Sequence, residues 1–319
     1  GPNGKPGVVI AETSELDAWA RGAETPAASA PAVPPLVPDI PAARGRWTMA
    51  AAIVLAAAIG LGGWRAQMAR VITQPDSAVM TERAIVALNA DGSELWRHNF
   101  TGERVSPPFS RTGNPVEPLA GEGSLAATAH SVVTDNLTVR SGRLMLFDRA
   151  GTMRKSFSFQ DTVRIGARDF SAPWSLNDFQ QRGSGSARRI AVTAHHYEWW
   201  PSIVTMLDAR WQRQDSFIHA GWIEWLRWLP GERLAIAGFS NLKDGGMIAL
   251  LDANRLNGQS PAVPGSEFAC AACGPDRPLR YVVLPRSEVN RASASPFNRA
   301  SFEVRPAGLL VRTAETASN

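Results

Sequence analysis

The chain has 319 residues, with 33 Lys and Arg against 29 Asp and Glu and a net charge of +4. The excess is scattered, which excludes a concentrated basic face and reads as a solvated surface with at most a weak attraction for anionic polymers. With 23 Pro, 27 Gly and few long helical patterns, most of the chain reads as strands and turns.

Residues 1–22 open with turn chemistry at Gly1-Pro2-Asn3-Gly4, followed by a strand-like Val8-Val9-Ile10. Ser14 is a candidate N-cap with Asp17 as its partner, Leu16, Trp19 and Ala20 share one helix face, and Gly22 closes the helix. No initiator Met is present, so the chain reads as a fragment whose beginning lies upstream. This turn, strand and short helix resembles the tail of the excisionase/MerR-like winged helix-turn-helix domains, in which a wing hairpin runs into a helix of the type seen from Ser14 to Trp19. The resemblance covers about 20 residues and lacks the recognition helix that enters the major groove. It implies DNA as a partner only if an upstream domain completes the fold, with Lys5 in the wing-like turn as a candidate phosphate contact. The plainer alternative is an amphipathic stub.

Residues 23–46 form a linker, with six prolines between positions 26 and 41 that oppose helix and sheet alike. Trp47–Trp64 then runs 18 residues without a charge. As a helix it is about 27 Å long, close to the thickness of bilayer hydrocarbon, with a Trp at each end. We read it as a transmembrane signal-anchor in the inner (cytoplasmic) membrane, with the bilayer as a partner. A late signal peptide and a soluble core helix are the alternatives. Arg44 and Arg46 before it balance Arg65 and Arg70 after it, so local charge does not orient it. The size of the C-terminal part favours a cytoplasmic N-terminus and an extracytoplasmic C-terminal domain. Residues 65–80 are a juxtamembrane connector.

Residues 81–319 carry a recurring pattern of apolar strand, Asp or Asn, turn and strand. It appears at Ala84–Trp96, Gly142–Met153, Ser202–Trp211 and Gly246–Asn254, with Asn89, Asp148, Asp208 and Asp252 in the same place at intervals of 59, 60 and 44. An Asp or Asn there can bond its own downstream backbone, and Gly92 and Gly151 supply positive φ. Further strands are expected at Arg189–Ala194 and Arg233–Gly238. The repeats resemble β-propeller units of the quinoprotein-like or WD40-like kind, most closely at Ala84–Trp96. The expected fold is therefore mainly β, with four or five irregular propeller-like blades after the transmembrane helix; a β-sandwich is the runner-up. No acidic metal site or stacking Trp matches the quinoprotein cofactor chemistry, so that chemistry is not carried over and no cofactor is expected.

Three constellations are candidate sites. Cys270 and Cys273 are the only cysteines, and a CxxC pair can be a disulfide staple, a metal or free thiol pair, or a redox centre. His195 and His196 look like ligands, but adjacent strand residues point to opposite faces, so no metal site is assigned. Tryptophans are dense between 199 and 228, and Trp199, Trp200 and Trp222 are a candidate ligand platform. Core packing is the alternative: in a strand Trp222 and Trp228 share a face opposite Trp225, and at helical spacing all three form one stripe. No phosphate loop, nucleophile elbow, zinc helix or calcium loop is present, so no catalytic residue is assigned. The expected function is a membrane sensor or regulator whose β-domain binds a ligand or a protein partner. An envelope scaffold and an extracytoplasmic enzyme are the alternatives.

Overall fold

The computed structural model describes residues 75–108, 116–119, 123–134, 137–293, 297–306 and 308–316. The N-terminal stub with Lys5, the linker and the apolar segment Trp47–Trp64 lie outside the described residues.

The described chain is mainly β. A first sheet contains β1 (Ser77–Met80), β2 (Ala84–Leu88) and β3 (Glu94–Asn99). In the second, β4 (Val105–Ser106) and β5 (Val116–Leu119) both pair with β6 (Gly123–Thr134), which continues to β7 (Leu137–Phe147) and β8 (Met153–Phe157). A hairpin of β9 (Thr162–Ile165) and β10 (Arg168–Ser171) follows. The third sheet holds β11 (Trp174–Arg182), β12 (Arg189–His196), β13 (Ser202–Leu207) and β14 (Arg213–His219). The fourth holds β15 (Ile223–Leu229), β16 (Arg233–Ser240) and β17 (Gly245–Asp252). β18 (Gly258–Gln259) crosses back to pair in parallel with β14, and β19 (Arg280–Val283) returns to β17. After α1 (Glu288–Ala292), a hairpin of β20 (Phe297–Arg305) and β21 (Gly308–Thr316) ends the described chain.

Period-2 alternation lets the second, third and fourth sheets bury both faces. On β12, Ile190, Val192 and Ala194 face a core shared with Leu125 and Leu144 of the second sheet. Ala191, between them, faces a core shared with Leu234 and Ile236 of the fourth. Ala126 and Phe147 meet Ile85 of the first sheet, and Ala235 and Ala237 meet Ala300 and Phe302 of the last hairpin. The sheets thus share cores pairwise in chain order. No closed barrel or propeller ring is found among the described residues.

The recurring Asp is a turn device. Asp148 Oδ1 accepts the N–H groups of Ala150 and Thr152, and Asp208 Oδ1 accepts those of Arg210 and Gln212, all at 2.8–2.9 Å. Asp252 accepts from Asn254 N–H at 2.9 Å. In the first copy the role moves to Asp91, which accepts from Ser93 N–H, while Asn89 donates to Ser93 Oγ. The left-handed slot is Gly92 (φ 81°) and Gly151 (φ 77°), but in the third copy it is Trp211 (φ 67°), whose N–H still reaches Asp208 O. The fourth copy lacks the hairpin, because the chain leaves as β18 instead of turning back.

Two expectations change. β1 lies inside the segment read as connector and pairs with β2. The single-pass inner-membrane placement is overturned: among the described residues no helix is long and apolar enough to cross a membrane, and α1 has five residues. The described apolar segments instead satisfy their backbone by strand pairing and bury their side chains between sheets. The transmembrane assignment and the extracytoplasmic location fall with it.

Candidate functional site

The predicted tryptophans and cysteines meet at one end of the third sheet. β12 ends at His196, and residues 197–201 turn the chain into β13. Within that turn Trp199 and Trp200 both sit in left-handed backbone, at φ 54° and 49°. Bulky residues rarely adopt this conformation, and such strain is held only where the surroundings over-determine it.

Those surroundings can be named. The Trp199 ring is stacked between Phe170 (centroids 6.0 Å apart, planes 8° apart) and Phe268 (5.1 Å, 18°). The Arg168 guanidinium lies 5.8 Å from its centroid, and Asn241 Nδ2 donates to Trp199 O at 2.6 Å. Trp200 is thereby turned outward, 44% exposed, with its ring 5.8 Å from that of Trp222. Trp222 is 8% exposed and forms the buried floor on which Trp200 rests, 5.7 Å from His195. The three platform residues therefore have three environments: one ring sandwiched, one open and one buried. Trp225 packs toward the last hairpin and Trp228 toward the third sheet, on opposite faces of β15.

The histidines take opposite faces of β12. His196 is buried between Phe170 and Trp174, with Nε2 bonded to Ser171 O at 2.9 Å and Nδ1 accepting Glu198 N–H. His195 Nδ1 pairs with Asn177 Oδ1 at 2.6 Å, while Asn177 Nδ2 donates to Ile223 O. This places Asn177, which sequence reasoning missed, behind the Trp200–Trp222 pair. Its signal was a polar residue in an otherwise apolar strand, at a bulge between Leu176 and Asp178. Among the described residues no group of three His, Cys, Asp or Glu could hold a metal ion.

Burial holds His195 down to about 4, helped by the charges of His196 and Arg140, and burial alone does the same to His219, which is 0% exposed. Both rings are neutral at pH 7 and offer hydrogen bonds rather than charge. Below about pH 6.5 the unfolded chain protonates these rings and the folded chain resists, so stability falls as pH drops from 6.5 toward 4. The expected slope is up to about 1.4 kcal/mol per pH unit for each ring. Urea midpoints measured across that window check it, and His219→Gln is expected to flatten the slope.

Cys270 and Cys273 are joined by a disulfide, with Cα atoms 5.4 Å apart. Gln259 fastens the loop: its Nε2 donates to Cys270 O at 2.9 Å and its Oε1 accepts Cys270 N–H at 2.7 Å. Gly166 N–H donates to Ala269 O, tying the loop to the β9–β10 hairpin. Phe268, two residues before Cys270, is the outer slice of the Trp199 stack. The disulfide loop and the tryptophan turn are thus parts of one surface.

No protein family matches the chain, and a search of curated proteins finds no match.

Proposed function

We propose that the chain is a binding module rather than an enzyme, an open propeller-like array of sheets that holds a protein partner on the end centred on Trp200. The observation that carries this reading is the Trp199–Trp200 pair. Two consecutive bulky residues in left-handed backbone cost on the order of 1 kcal/mol each, and the result is one open indole on a rigid aromatic base. Preorganised, partly exposed Trp is the side chain most often found at the energetic centre of protein interfaces. The propeller-like reading is supported by cores shared in chain order and by the recurring Asp turn. A scaffold role needs only this surface. A regulatory role needs, in addition, upstream residues that complete a DNA-binding domain, and the resemblance at Ser14–Trp19 is what supports it.

A random peptide library displayed on phage and selected against the purified chain provides the test. Selected peptides are expected to bind Trp200→Ala at least about tenfold more weakly. The same substitution is expected to change folding stability by less than about 1 kcal/mol. Undiminished binding to Trp200→Ala overturns the reading.

A further inference from the structure

Beside the disulfide lies a cavity of about 520 Å³, within the size range of small-molecule sites. Its walls include Pro264, Pro275 and both disulfide cysteines, so they are stiff before any ligand arrives. Among its lining residues Arg277 alone is charged. Arg277 is exposed and has no ion pair among the described residues. The adjacent carboxylate of Asp276 is already taken by Arg255 at 3.0 Å and by Asn257 N–H at 3.1 Å. A planar guanidinium beside a stiff, partly apolar wall is a counter-charge suited to a carboxylate attached to a small apolar body.

We propose that this cavity binds a carboxylate, with Arg277 as the counter-charge. The inference does not depend on the Trp200 surface, and Trp200→Ala is expected to leave it intact. The carboxylate can belong to a free organic acid or to a peptide C-terminus, and the experiment separates the two.

The purified oxidised chain is titrated by NMR with benzoate, with a tripeptide ending in a free carboxylate, with its C-terminal amide, and with inorganic phosphate. Saturable shifts confined to residues 259–277 are expected with benzoate or with the free tripeptide, and neither the amide nor phosphate is expected to reproduce them. Which of the two saturates identifies the source. Arg277→Gln is expected to weaken binding about tenfold or more, while Arg277→Lys keeps part of the affinity. Arg277 is exposed, so its substitution leaves the fold, read by circular dichroism, unchanged. No saturable shift with either acid, equal binding of the amide, or undiminished binding to Arg277→Gln overturns the proposal.

Discussion

Gly238→Ala is expected to destabilise the protein by at least about 3 kcal/mol, more than an ordinary overpacked core position. Gly238 stands opposite Ile223 where β15 bulges, and a Cβ there would lie 1.9 Å from Trp222 O and 2.9 Å from Trp222 C. Both are backbone atoms, so no side chain can swing aside. The same carbonyl accepts Phe239 N–H at 2.8 Å, so the clash opens the ladder that seats Trp222. Urea unfolding followed by tryptophan fluorescence measures the loss. A change under about 1 kcal/mol would show that the bulge adjusts freely.

The second large effect concerns an ion pair between the fourth sheet and the last hairpin in which the carboxylate is buried and the guanidinium half-buried. Glu224 is 5% exposed, and Arg299 Nη1 donates to both of its oxygens at 3.1 Å. Burial raises the Glu224 carboxyl above its ordinary value even though Arg299 pulls it down. Arg299→Met leaves a buried carboxylate uncompensated, and a loss of about 3–5 kcal/mol is expected at pH 7. The folded pKa rises further in that variant. The folded state then holds a proton that the unfolded chain releases near 4.5, and stability declines as pH rises from there. The deficit is therefore expected to shrink toward pH 4.5, and Glu224→Gln combined with Arg299→Met is expected to recover much of it. Denaturant midpoints at pH 4.5 and 7 for the three proteins check both statements.

What the sequence made legible was local. The strands around Asp148 and Asp208 could be read because alternation and the carboxylate-to-backbone turn are set within about ten residues. Trp211 in the glycine slot could not be read, because its left-handed backbone is held by packing against the third-sheet core rather than by its own preference. The pairs Asp178–Arg227 and Glu224–Arg299 join residues 49 and 75 positions apart, and no spacing rule reaches that far. β18 was missed for a similar reason, since its partner β14 lies in the preceding sheet. At the candidate site, residue type pointed to Trp199, Trp200 and Trp222, but not to which ring would be open. The left-handed turn and the bulge at Glu224 both break the period-2 count on which facing was judged. The single-pass location read from the apolar run at Trp47–Trp64 is not supported by the described residues, none of whose helices is long and apolar enough to cross a membrane, and the run itself lies outside them.

Amide hydrogen exchange of the chain, alone and saturated with a selected peptide, tests the binding surface most directly. Slowed exchange centred on residues 197–201 and 219–222 is the predicted result. Protection confined to other regions, such as the β21 edge, with those two turns unchanged, would contradict it.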